Sequence, residues 1–262
     1  MRNFKTILCT VAVICGGLSF STSTFGSEAH QINPAAVPNR NTELWWLKRH
    51  ESKIEAVKKE QFNLIFIGDS ITQDWEKNAP PPWGNFQQLW DRFYGDRHAL
   101  NLGFGGDTTS NVLWRLENGE LENQSPKLVV LLIGGNNSEI KHWSSQQTIG
   151  GISAIIDLLH DKLPETKILL LGILPSDRSQ QVSMTNSLVN RGLSRKYGRS
   201  TFVTYRDIGR VFETGPFFRK KINNTLYYEP HKTPPKRALH PTSVGQEKLS
   251  EAIEPTIKKL LK

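Results

Sequence analysis

The feature that most constrains this chain is an apolar run that stops at a polar tripeptide: Phe62, Leu64, Ile65, Phe66 and Ile67 lead straight into Gly68-Asp69-Ser70. A strand without polar alternation is covered on both faces, the mark of a parallel strand inside an α/β sheet. Its abrupt end delivers a small hydroxyl to the carboxyl edge, where open α/β folds bind ligands. Ser70 is therefore a nucleophile candidate, although Asp69 and Ser70 serve equally well as caps for a following helix.

Three other segments bear on that choice. Asn101 to Thr109 contains Gly103, Gly105 and Gly106 and runs into the helix-like Val112-Leu113-Trp114-Arg115-Leu116. Glycines there let backbone N–H groups approach a ligand, and a helix start adds a positive dipole end. Gly134-Gly135-Asn136-Asn137 follows a second unbroken apolar strand, Leu128 to Ile133. An Asn amide at a strand exit can donate to a developing negative oxygen. Finally, Leu239-His240-Pro241-Thr242 precedes the last amphipathic helix and can return an imidazole over the sheet as a general base. Each segment also has a plain reading, as a glycine turn, an Asn turn or a helix-entry histidine.

The rest of the chain reads as parallel βα units. Thr42 to Glu60 is a charged helix with Trp45, Trp46, Ile54 and Val57 on its apolar side, and core burial is expected for those tryptophans ahead of ligand stacking. Ser144 to Leu163 is a crossover helix before the strand Ile168 to Leu171; a polar helix over Gln180 to Tyr197 precedes the strand Thr201 to Thr204. Ser243 to Leu261 closes the chain with Leu249, Ile253, Ile257 and Leu260 on one side. Pro80-Pro81-Pro82-Trp83 forms a stiff loop whose aromatic neighbourhood either borders a pocket or packs on the sheet. Phe212 to Ala238 is aromatic, basic and without periodicity, which fits a substrate loop or an interaction surface.

Taken together and in this order, Gly68-Asp69-Ser70, Gly106 in Gly-Gly-Asp, Asn136 in Gly-Gly-Asn-Asn and His240 resemble the four blocks of the SGNH (GDSL) hydrolases. The long signature Val112 to Leu121 is similar to that of the branch containing the catalytic subunits of platelet-activating-factor acetylhydrolase. The resemblance implies a three-layer α/β/α flavodoxin-like fold with a central, mostly parallel five-stranded sheet over residues 61–262. It also implies hydrolysis of short-chain, commonly acetyl, esters with no cofactor and no metal. In that scheme Ser70 attacks, His240 is the base, and Ser70 N–H, Gly106 N–H and the Asn136 side chain form the oxyanion hole.

Two positions depart from the family pattern. Gly135 stands in a Gly-Thr-Asn motif where the family has Thr. More consequentially, Arg237 stands three residues before His240, where the family has an aspartate that orients the imidazole. A cation cannot accept an imidazole N–H. Three explanations follow: a backbone carbonyl orients His240; a carboxylate such as Glu229 or Asp207 substitutes; or the protein is a weak or inactive enzyme that binds without turnover. A lipid ester is an alternative substrate to an acetylated carbohydrate. Gly-x-Ser-x-Gly, His-Glu-x-x-His and Walker motifs are absent from the sequence.

Charge and cysteine usage set the expected environment. Met1 to Ser27 has a charged start, an apolar stretch from Ile7 to Phe20 and small polar residues, the plan of a signal peptide over residues 1–26. Residues 27–60 are then expected to form a lead-in and helix, and the expected location is periplasmic or extracellular, with no stable membrane insertion after cleavage. Both cysteines, Cys9 and Cys15, fall inside that leader. The formal charge of +8 becomes +6 without Arg2 and Lys5. The remaining Lys and Arg are scattered and accompany no nucleic-acid motif, so a small acyl ester or acetylated carbohydrate is the expected partner rather than a nucleic acid. The oligomeric state stays open.

Overall fold

The computed structural model describes residues 32–78, 80, 84–216 and 219–262. The leader expected over residues 1–26 and Pro81 to Trp83 of the proline loop lie outside the described residues. In chain order the main elements are α1 (Leu44–Lys59), β1 (Leu64–Gly68), α2 (Ser70–Gln73), α3 (Phe86–Tyr94), β2 (Ala99–Gly103), α4 (Thr109–Glu117) and β3 (Leu128–Leu132). They continue with α5 (Gly135–Glu139), α6 (Ser145–Lys162), β4 (Lys167–Leu171), α7 (Gln180–Tyr197), β5 (Val203–Arg206), the short hairpin β6 (Glu213–Thr214) and β7 (Lys221–Ile222), and α8 (Ser243–Leu260).

Strands β1 to β5 form one sheet in the order 2-1-3-4-5, with every pairing parallel. This is the flavodoxin-like order, and it fixes three layers because each strand is sandwiched between helices. The period-2 alternation of β1 divides the core accordingly. Ile65 and Ile67 point with Leu102, Val129 and Leu131 into a layer closed by Val112 and Leu116 of α4, Ile152, Ile156 and Leu159 of α6, and Val189 of α7. Leu64 and Phe66 point with Val130 and Leu132 to the other side, covered by Tyr94 of α3 and by Leu249, Ile253 and Ile257 of α8. The helix starts are well capped: Ser144 and Gln147 form a reciprocal capping box for α6, and Thr242 caps α8.

The adjacent tryptophans of α1 part company. Trp46 is fully buried, whereas Trp45 keeps 45% of its surface exposed. The helix turns by about 100° per residue, so neighbours cannot both face the core. Trp75 is buried against Trp90 and Tyr94, and Trp90 and Tyr94 contact Phe66, so these aromatics pack on the sheet rather than line an opening. Among the described residues no helix is long and apolar enough to cross a membrane.

The described part of Phe212 to Ala238, unreadable by periodicity, sends Phe212, Leu226 and Tyr227 into the core beside α8 and pairs by backbone with residues 240–242. Tyr227 pairs with Pro241 across an isolated bridge, Tyr228 N–H donates to the His240 carbonyl at 2.8 Å, and Thr242 N–H donates to the Leu226 carbonyl at 2.9 Å. Tyr227 is buried and anchors this structure by donating its hydroxyl to the Pro175 carbonyl at 2.6 Å.

Candidate active site

Ser70 is the first residue of α2, directly off the carboxyl end of β1, with Asp69 as N-cap accepting the Ile71 N–H at 3.0 Å. Asp69 thus takes the capping role, which leaves the half-buried hydroxyl of Ser70 free of it. The tight packing depends on glycine: a β-carbon at Gly103 would collide with the backbone nitrogen of Gln73, so α2 can lie against β2 only if residue 103 has no side chain. Burial pushes the Asp69 carboxyl up to about 7, against the pull of the Ile71 N–H and the His240 charge.

His240 arrives from the far end of the chain. Its Nε2 lies 2.9 Å from Ser70 Oγ across 170 residues of sequence. Its Nδ1 lies 2.5 Å from Glu229 Oε1. Glu229 Oε2 accepts the backbone N–H groups of Leu239 at 3.0 Å and of His240 itself at 2.9 Å. Burial alone would raise the Glu229 carboxyl, but these bonds from the His240 ring and backbone outweigh it and hold the group below the ordinary carboxylate range. An ionised carboxylate only accepts, so Nδ1 carries the proton and Nε2 offers its lone pair to the serine hydroxyl.

Of the two carboxylates the sequence offers in place of the missing aspartate, Glu229 meets the imidazole, and Asp207 instead accepts the Gly209 N–H at 3.0 Å. Arg237 is exposed and donates to the Asp177 carbonyl at 3.0 Å. The same Asp177 accepts the Ala238 N–H with its side chain at 2.7 Å. Arg237 thus clasps the histidine loop to the segment after β4.

The oxyanion candidates converge on the same rim from two other strands. Gly106 follows β2 at φ +79°, with open space where a side chain would stand. That left-handed backbone favours glycine, and the Gly106 N–H donates to no group among the described residues. Asn136 follows β3 on α5, and its Nδ2 donates to the Asp107 carbonyl at 2.9 Å, leaving its second amide hydrogen. That bond fixes the amide against the glycine loop. Ser70 N–H, at the first position of α2, belongs to the class of helix-start donors without an internal acceptor. The left-handed backbone of this motif is at Gly134, φ +120°, whereas a β-carbon at Gly135 would meet Ile173 at an ordinary 3.8 Å, so a side chain would fit there. Ser70 and Asn136 border a small cavity whose apolar wall is Ile71, Leu132, Ile133, Ile173, Leu174 and Leu239.

Beneath the glycine loop lies a network the sequence reading did not single out. Asp107 is fully buried, accepts the Trp46 indole N–H at 2.7 Å and pairs with Arg115 Nε at 2.8 Å. Arg115, itself fully buried, also bonds Glu120, and Glu120 meets His50 Nδ1 at 2.8 Å. Burial pushes the Asp107 carboxyl up to about 6, opposed by Arg115 and Trp46. The signal was present in the 112–121 signature, where Arg115 and Glu120 stand five residues apart. Among the described residues no cluster of three or more His, Cys, Asp or Glu suited to a metal ion occurs.

A serine, an imidazole and a carboxylate in line beside backbone and amide donors on a flavodoxin-like sheet are the groups that acyl transfer requires. The chain belongs to the GDSL-like lipase/acylhydrolase family, whose model matches residues 66–248, and it is by class a carboxylic ester hydrolase. Among individual proteins it is similar to platelet-activating factor acetylhydrolase IB subunit alpha2 of Rattus norvegicus, 34% identical over 185 residues that cover 69% of this chain and 76% of that one. It is also similar to subunit alpha1 of Bos taurus, 32% identical over 221 residues, covering 82% and 89%. A solved GDSL-like lipase from Bacteroides thetaiotaomicron shares the fold, with TM-score 0.57 at 19% identity over 81% of this chain and 97% of that one.

Proposed function

We propose that the chain is an exported serine esterase that removes short acyl groups, acetyl foremost, from small alcohols or carbohydrates. The observation that carries this reading is the continuous line Ser70 Oγ, His240 Nε2, His240 Nδ1, Glu229 Oε1, at 2.9 Å and 2.5 Å. His240 takes the hydroxyl proton as Ser70 Oγ bonds to the ester carbonyl carbon, and Glu229 stabilises the resulting imidazolium. Gly106 N–H, Ser70 N–H and Asn136 Nδ2 stabilise the tetrahedral oxyanion. The imidazolium then protonates the departing alcohol, and a water activated by the same imidazole releases the acid and restores Ser70.

The small cavity at Ser70, apolar on one wall and polar at Glu139, Ser176 and Asn186, favours a short acyl arm, and the names of the alpha1 and alpha2 relatives, acetylhydrolases both, favour acetyl. The test is a p-nitrophenyl ester series from acetate to octanoate with wild type and Ser70→Ala. Turnover should be highest on acetate and fall to background in Ser70→Ala; equal rates in both proteins, with folding verified by circular dichroism, reject the reading. Export rests on the charge plan of Met1 to Ser27, and N-terminal sequencing of the protein recovered from its host should find a start near Gly26 to Ala29.

A further inference from the structure

Trp45 has no part in the relay, yet its ring reaches the relay's edge. A methyl group built on Gly105 would lie 3.8 Å from Trp45 Cη2 and 3.9 Å from Ser70 Cβ, so indole and nucleophile flank the same glycine. Neighbouring Trp46 spends its N–H on Asp107 and is sealed in the core, whereas Trp45 leaves 45% of its surface to solvent. A large aromatic left half bare beside a reactive hydroxyl presents a flat apolar face to whatever binds there.

An ester has two arms, and the site has two sides. The cavity bounded by Leu132, Ile133, Ile173 and Leu174 takes the acyl arm on one side of Ser70. Gly105 and Trp45 do not line that cavity, and because Trp45 is half exposed we assign to its side the alcohol arm, which leaves to solvent. The indole is bordered there by polar groups. Gln73 accepts the Gly105 N–H at 2.6 Å with its oxygen, which keeps its amide NH2 as a donor. Arg49, one turn along α1 from Trp45, holds the Gly103 carbonyl at 2.8 Å and pairs with Glu76 at 2.6 Å. A flat apolar face rimmed by amide and charged groups matches a ring that is apolar on its face and hydroxylated at its edge. An alkyl chain would cover the indole but leave the Gln73 amide NH2 without a partner, whereas Arg49 already spends Nε on the Gly103 carbonyl and a guanidinium N–H on Glu76.

We propose that Trp45 is a specificity-determining residue that stacks against the sugar ring of the alcohol arm, making acetylated pyranosides the preferred substrate class. The proposal rests on the esterase reading and is tested with the full chain. For wild type, Trp45→Ala and Trp45→Phe, kcat and KM are measured on an acetylated methyl xylopyranoside and on ethyl acetate. The ratio of kcat/KM, pyranoside over ethyl acetate, should fall about tenfold in Trp45→Ala, chiefly through KM, and recover in part in Trp45→Phe. An unchanged ratio overturns the proposal, because it means that the indole does not discriminate between the two alcohols.

A calorimetric titration of xylo-oligosaccharide into Ser70→Ala, with and without Trp45→Ala, separates this proposal from the chemistry. If wild type hydrolyses neither ester, the esterase reading fails, and binding that weakens with Trp45→Ala still supports stacking. Equal binding by the two proteins, or none by either, refutes it.

Discussion

Replacing Glu229 with Gln alters one atom and reverses the chemistry of the relay. The carboxylate serves three donors: Oε2 takes the Leu239 and His240 backbone N–H groups, and Oε1 takes the imidazole Nδ1. A glutamine has a single acceptor oxygen. If that oxygen stays with the two backbone donors, its NH2 faces Nδ1 and selects the tautomer with the proton on Nε2, which cannot accept from Ser70. If the amide flips, two backbone N–H groups face an NH2 in a site where Glu229 is only 3% exposed. Neutralising or removing the carboxylate of serine protease relays lowers kcat by about 10⁴, and a loss of about 10³–10⁴ is expected here. At about 1.4 kcal/mol per decade this is roughly 4–5.5 kcal/mol of transition-state stabilisation.

The assay is p-nitrophenyl acetate hydrolysis, with thermal melting as a check on folding. Arg237→Asp, which restores the spacing Asp-x-x-His, is the matched variant. It should change kcat by less than about threefold, because Glu229 already occupies Nδ1 and a second carboxylate finds no proton to accept. Full activity in Glu229→Gln together with a large gain in Arg237→Asp would refute the reasoning.

Removing the Asn136 amide with Asn136→Ala should lower kcat on the same substrate by about 10²–10³ with little change in KM, since the donor acts on the oxyanion. Arg115→Met keeps the volume but leaves Asp107 and Glu120 as uncompensated buried carboxylates; urea unfolding should show a loss of about 3–5 kcal/mol. Asp69→Asn keeps the cap on α2 and removes a carboxyl raised by burial to about 7. Between the ordinary carboxylate range and pH 7 the folded wild type binds more protons at Asp69 than the unfolded chain does, so the group's contribution to stability falls as pH rises through that window. The melting temperature of Asp69→Asn relative to wild type should therefore climb from pH 4 to pH 8, and a constant difference would contradict the assignment.

What the sequence made legible follows from periodicity and from edges. The helix at Gln180–Tyr197 lies where its spacing put it, and β1 and β3 lie within unbroken apolar runs that only two-sided burial explains. That Ser70, Gly106 and Asn136 lie in the turns beyond the carboxyl ends of β1, β2 and β3 was legible, because parallel topology brings those ends to one edge of the sheet. Glu229 was no more than one of two carboxylates, because its position depends on backbone pairing between residues 226–228 and 240–242, and such pairing leaves no hydrophobic repeat. The outward turn of Trp45 was equally hidden, since two adjacent tryptophans look alike in composition and differ only in which side of α1 meets the core. The Asp107–Arg115–Glu120 network was not singled out, because only Arg115 of the three lies on α4 and the burial that joins them is set by tertiary packing.

The pairing that brings Glu229 beside His240 has a consequence for how such chains are sorted. Acid and base ride on one short stretch tied together at its neck, so the stretch can shift or lengthen while the two partners keep company. A search for a fixed linear pattern would discard this chain as a catalytic relic for its arginine at position 237. Whether a chain of this class keeps a partner for its imidazole is therefore to be diagnosed from what surrounds that ring in three dimensions, here Glu229.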